Sequence, residues 1–130
     1  EGLAIYNQNR VLPEQHEKRY WAPMGYLAVH YGLSHSFAEL REYIRRLGFD
    51  DARALRTCLK IKRGLGDTSR AGAFTKELLY FRGWRIIKEY LEGDGSLQEL
   101  YIGKIDLHDL ALVQQIEGLI KPVYLPTFAE

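Results

Sequence analysis

The side chains best suited to hold a metal ion are the four histidines, His16, His30, His35 and His108. A helical zinc site needs two imidazoles one turn apart, because that spacing aims both nitrogens at one ion. His16-Glu17 opens such a pattern, but position 20 is Tyr. His30 and His35 stand five apart, with Gly32 and Ser34 between them to interrupt a helix. The spacing therefore predicts surface or packing histidines and no self-contained zinc site. The single cysteine, Cys58, lies in an apolar-periodic stretch with Leu55 and Leu59. It is expected to be a buried, inert thiol. One cysteine also excludes a disulfide within the chain.

The second group is cationic. Lys60-Ile61-Lys62-Arg63 closes a helical pattern and enters a segment, 64–72, that holds three glycines with Asp67, Thr68 and Ser69. Lys76 follows it. Cations at a helix C-terminus are stabilised by the macrodipole, which is sufficient reason for this run. The functional alternative is anion capture, with Arg63 and Lys76 meeting a carboxylate or phosphate. Spacing alone favours the first. Gly64-Leu65-Gly66-Asp67-Thr68 lacks the G-K-[ST] ending of a P-loop. Tyr80 stands one helical turn after Lys76, so the two can share a face. Arg41, Arg45 and Arg46 alternate with Glu39 and Glu42, as on a solvated helix surface.

These residues are carried by a helical framework. Helices are expected over 1–10, 17–31, 37–47, from Asp50 to about Lys62, from Thr75 to about Glu92, and over 106–117. Ser36 and Glu39 make a capping-box pattern, and Ser96 and Glu99 repeat it. Pro23 would start or kink the second helix. The expected core stripes are Trp21, Met24, Leu27, Ala28 and Tyr31; Phe37, Leu40, Ile44 and Leu47; Ala52, Leu55 and Leu59; and Leu79, Ile86, Ile87, Tyr90 and Leu91. Gly83 in mid-helix would permit a close helix contact or leave room for a ligand. Segments 100–105 and 122–125 are candidates for short strands. The fold class is thus mainly α, about six packed helices with one or two short strands.

Composition sets outer bounds. The 130 residues are 46% hydrophobic and 27% charged, with a formal net charge of +1. That balance suits a globular domain and gives no general attraction to nucleic acid or to an acidic membrane. No apolar run approaches the length of a membrane span. The chain opens at Glu1 inside a helical pattern, so it is expected to be part of a longer protein.

Several sequence words, in order, resemble one family. Glu1-Gly2-Leu3-Ala4 resembles the E-G-L-A of the QEGLA-motif zinc metallopeptidases, a family that includes the microtubule-associated tyrosine carboxypeptidases. Lys60-Ile61-Lys62-Arg63-Gly64 is similar to their basic segment. The stretch from Gly72 through Phe74, Thr75, Lys76 and Tyr80 to Gly83 resembles their G-x-F-T-K-D-x-x-Y-L-x-G signature. Tyr101-Ile102-Gly103-Lys104-Ile105 and Tyr124-Leu125-Pro126-Thr127-Phe128 are similar to later elements. Lys60, where Arg is common, and Glu77, where Asp is common, depart from the pattern. An Arg-to-Lys change loses bidentate geometry.

The resemblance implies that 1–130 is the C-terminal part of a larger gluzincin-like α/β catalytic domain whose HExxxH half lies upstream. It implies zinc as cofactor, with Glu1 as the third protein ligand. It also implies Lys62, Arg63 and Lys76 as cations for a substrate carboxylate, and Tyr80 as a catalytic hydroxyl at the substrate or oxyanion. The substrate would be a peptide or protein C-terminus and this chain alone inactive; the cytoplasmic setting is the expectation from the single cysteine. The alternative is a non-catalytic helical module for protein interaction or regulation, whose basic loop binds an acidic partner.

Overall fold

The computed structural model describes residues 1–119, 122, 124 and 125. It is mainly helical, and the described residues hold no strand. The chain divides into two compact units, Glu1–Ile86 and Ile87–Glu130.

In the first unit, α1 (Gly2–Val11) ends where Pro13 forces its predecessor, Leu12, into an extended conformation. A 3-10 turn, Glu17–Tyr20, follows, with the His16 ring accepting from the Lys18 N–H at its start. It leads into α2 (Trp21–Gly32). Pro23 falls in the first turn of α2, where a missing N–H costs no intrahelical bond. It accordingly marks the start of the α-helix. α3 (Phe37–Arg46) is opened by the full capping box: Ser36 Oγ accepts from the Glu39 N–H, and Glu39 accepts from the Ser36 N–H at 2.8 Å. Gly48, at φ +92°, closes it in a conformation that suits glycine. α4 (Asp51–Lys62) is capped by Asp50, which accepts from the Arg53 N–H at 2.7 Å.

α2, α3 and α4 pack on one another around Met24, Ala28, Val29, Leu40, Ile44, Ala54, Cys58 and Ile61. Two of the expected stripes are rotated. On α2 the buried face runs through Ala22, Gly25, Ala28, Val29 and Gly32, while Leu27 is 42% exposed. On α4 it runs through Ala54, Thr57, Cys58, Ile61 and Lys62, while Ala52, Leu55 and Leu59 face solvent. Small side chains cause both rotations. They let helix axes approach closely: a Cβ on Gly32 would lie 3.0 Å from Ile61.

α5 (Glu77–Glu92) runs across the division between the units. None of its residues is fully buried, and Leu79 and Ile86, expected in the core, are 58% and 45% exposed. Gly83 makes a close helix contact, because a Cβ on Gly2 of α1 would stand 2.3 Å from the Gly83 carbonyl.

In the second unit, segment 100–105 forms turns, with a 3-10 turn at Glu99–Tyr101. The Ser96–Glu99 pattern acts in part, Glu99 accepting from the Ser96 N–H at 3.0 Å and from the Tyr90 hydroxyl. The last expected helix is shorter than its pattern: a 3-10 turn at Leu107–Asp109, capped by Asp106, leads into α6 (Leu110–Val113). The strand candidate at 122–125 lies partly outside the described residues.

Candidate functional site

The loop after α4 is built around one ammonium. Lys62 is 2% exposed. Its three Nζ N–H groups are shared among four carbonyls, those of Gly32 at 2.9 Å, His35 at 2.5 Å, Arg70 at 3.1 Å and Gly72 at 2.6 Å. Burial pulls its pKa below the ordinary lysine value, while four carbonyl dipoles favour the charged form. Lys62 was expected to be an open cation for substrate. The structure instead turns its donors inward, where they tie segment 64–72 to the end of α2. Backbone bonds reinforce the tie: Gly72 N–H to Gly32 O at 3.0 Å, Phe37 N–H to Thr68 O at 2.9 Å, and Phe74 N–H to Ile61 O at 2.6 Å. Asp67 accepts from the Ser69 N–H and hydroxyl and pairs with Arg70, so its carboxyl pKa is held below the usual range.

The other expected cations are open. Arg63, at the end of α4, lies over the Phe74 ring, its guanidinium carbon 4.1 Å from the centroid. Lys76 is exposed just before α5. Neither lines the cleft that contains Tyr80. That cleft, about 300 Å³, opens among the helices of the first unit. Tyr80 and Glu77 enter it from α5, Ile5 from α1, and Trp21 and Met24 from α2. From α4 come Arg53, Arg56 and Lys60, spaced three and four residues apart and so on one helix face.

Sequence reasoning placed Lys60 in the cationic run at the end of α4 and noted it as a departure from the family pattern, and it passed over Arg53 and Arg56. Their signal was the i, i+3, i+7 spacing of three cations beside Thr57. It was masked by Leu55 and Leu59, which suggested a different orientation for α4. Among the described residues none of the three cations is in an ion pair, and Glu77 is the one carboxylate lining the cleft. Arg53 stacks on the Trp21 ring at 3.4 Å, and desolvation lowers its pKa. Its Nε and the Trp21 Nε1 are buried N–H donors that meet no acceptor among the described residues. The cleft is therefore rich in positive charge, offset at Arg53 by Glu17, Asp50 and Glu77, and has an aromatic and thioether wall.

Cys58 is fully buried, and burial pushes its thiol up to about 11, which keeps it protonated and unreactive at neutral pH. Three of the histidines are packing or capping groups, with His35 stacked on Tyr31, His30 against Tyr26 and His16 accepting from the Lys18 N–H, while His108 is exposed. Among the described residues no three of His, Cys, Asp and Glu gather closely enough to hold a metal ion. Glu1, exposed ahead of α1, offers one carboxylate, and the described residues do not by themselves complete a zinc site.

No curated protein and no solved structure matches this chain. The family model of the microtubule-associated tyrosine carboxypeptidase matches residues 28–130. That span includes Arg53, Arg56, Lys60, Lys62, Arg63, Lys76 and Tyr80, and leaves out Glu1. Covering well over half of the sequence, the match establishes that the chain belongs to the microtubule-associated tyrosine carboxypeptidase family.

Proposed function

We propose that this chain contributes to a zinc-dependent carboxypeptidase that releases the last residue of a peptide or protein. The family match carries the reading, and the cleft that joins Tyr80 to a row of cations supports it. In this reading the Tyr80 hydroxyl donates to the substrate carbonyl as negative charge develops on its oxygen. Arg63 and Lys76, open to solvent outside the Tyr80 cleft, hold carboxylates of the substrate beyond the reacting residue. Lys62 keeps the loop that carries Arg63 in place. Glu1 is one ligand of a zinc ion whose remaining ligands come from elsewhere, and the ion would activate water and polarise the scissile carbonyl. A cytoplasmic setting suits the free thiol of Cys58.

The test uses the protein that carries this chain, incubated with a peptide whose C-terminal residue is followed by mass. Release that stops on chelation and returns with zinc supports the reading. Tyr80→Phe should lower kcat by about tenfold or more while leaving zinc content unchanged. Metal-independent release, or full activity in Tyr80→Phe, would remove Tyr80 from the chemistry. Zinc content unchanged in Glu1→Ala would remove Glu1 from the ligand set.

A further inference from the structure

The second unit holds a cavity that the proposed carboxypeptidase chemistry does not use. It measures about 680 Å³, within the range of small-molecule sites. Ile102, Ile116, Leu119, Pro122 and Leu125 give it an apolar wall. Glu99 is the one ionisable group among its described lining residues. The carboxylate accepts from three neutral groups: the Tyr90 hydroxyl, the Ser96 N–H at 3.0 Å and the Gln114 amide at 2.7 Å. Those donors, Tyr90 first, hold its pKa below the usual carboxylate range, so it is an anion at neutral pH. They fix the carboxylate in place and leave its charge without a counter-ion among the described residues. An ionised carboxylate has about four acceptor positions, so one remains beside these three. Gln98 and Gln114 line the same cavity, and their side-chain oxygens meet no donor among the described residues.

The cavity thus presents one placed negative charge, open acceptors and hydrocarbon. Its complement brings a positive charge, N–H donors and an apolar stem. We infer that this cavity binds a primary alkylammonium, either a free amine or the side chain of a peptide lysine. The ammonium donates to Glu99 and to the two glutamine oxygens, and the stem lies along Ile102, Ile116 and Leu119. An anion would be repelled by Glu99, and a neutral alcohol would leave its charge unmatched. Binding needs neither zinc nor turnover, so it stands or falls separately from the zinc reading.

The experiment is a calorimetric titration of the whole protein at neutral pH with n-hexylamine, which is protonated there. Hexanol and hexanoate carry the same chain with no charge and with negative charge. N-acetyl-lysine methylamide presents the ammonium on a peptide unit. Hexylamine should bind at least tenfold more tightly than hexanol or hexanoate. Tighter binding of the lysine compound than of hexylamine assigns the site to a peptide lysine, and the reverse assigns it to a free amine. Glu99→Gln keeps the shape and an acceptor for Tyr90 and Ser96, and affinity for both amines should fall about tenfold or more. Ile116 is 55% exposed, so Ile116→Lys should keep the fold while placing a competing ammonium at the cavity, and binding should be lost. Thermal melting checks that both variants are folded. Absence of binding by either amine would overturn the inference, as would hexanol or hexanoate binding as tightly as hexylamine. Unchanged affinity in folded Glu99→Gln or Ile116→Lys would also overturn it, because the amine would then sit elsewhere.

Discussion

Replacing Lys62 by Met separates a brace from a substrate cation. Methionine keeps the length of the side chain and removes every donor. Four carbonyls accept from the ammonium. Gly32 O keeps a second partner in the Gly72 N–H. The carbonyls of His35, Arg70 and Gly72 have no other donor among the described residues, so three acceptors lose their partner. Each part-buried acceptor left open costs about 1 kcal/mol, at the low end because water can reach the loop in part. The total is about 3 kcal/mol, similar to the cost of breaking a buried charge pair. A loss of that size corresponds to a fall in Tm of roughly 10 °C for a domain of this length. Thermal unfolding followed by circular dichroism reads it directly. Hydrogen exchange should quicken first at the Gly72 and Phe74 amides, which bond across the brace. If Lys62 were an open substrate cation, Lys62→Met would melt normally and raise KM alone. That result would refute the reasoning.

Gly2→Ala should destabilise the protein by about 1–3 kcal/mol, since its Cβ would stand 2.3 Å from the Gly83 carbonyl, and Gly83→Leu should do the same from the other side. Unchanged thermal stability in both would reject the close contact. Lys76→Ala, at an exposed position before α5, should raise KM or reduce turnover in the complete enzyme with the helical spectrum intact. Loss of that spectrum would make Lys76 structural. Acid should weaken the fold in a defined direction. Glu39 and Asp51 are held below their ordinary pKa values by the Ser36 bonds and by Arg41, Asp67 by Ser69 and Glu99 by Tyr90. Their contribution is complete above the ordinary carboxylate range and is lost as pH falls through the lowered values. Tm should therefore be flat near neutrality and drop below about pH 4. Asp51→Asn should make that drop shallower, and an unchanged acid limb would mean that the Arg41–Asp51 pair is not felt.

The legible parts of the fold were those written in local chemistry. Ser36 with Glu39, Asp50 ahead of α4 and Gly48 after α3 act through their own backbone neighbours, so sequence was sufficient to place them. The buried faces of α2 and α4 were harder to read. Their contacts run through Gly25, Ala28, Gly32, Ala54 and Cys58, whose small size lets helices approach, while a hydrophobic pattern gives weight to Leu27, Leu55 and Leu59. The site followed the same rule. Tyr80 was visible from its spacing and its resemblance. Arg53 and Arg56 were hidden because the true rotation of α4 was hidden. Lys62 was misplaced because no local pattern shows that carbonyls from residues 32, 35, 70 and 72 converge on one ammonium.

The contact between Gly2 and Gly83 explains how two distant sequence words come to act on one place. Gly83 lies three residues after Tyr80, and Gly2 lies three before Ile5, so each is one turn from a residue that lines the cleft. With no side chain on either glycine, α1 and α5 touch backbone to backbone, and the Ile5 and Tyr80 side chains meet the same cavity. A side chain at either glycine would push the helices apart and move Ile5 and Tyr80 together with them. Glu1, directly before Gly2, would move as well. The two glycines thus set the geometry of the cleft without touching anything that binds there. A substitution at Gly2 should accordingly lower turnover in the complete enzyme even though Gly2 is not among the lining residues. Full turnover in a folded Gly2→Ala protein would show that α1 does not shape the site.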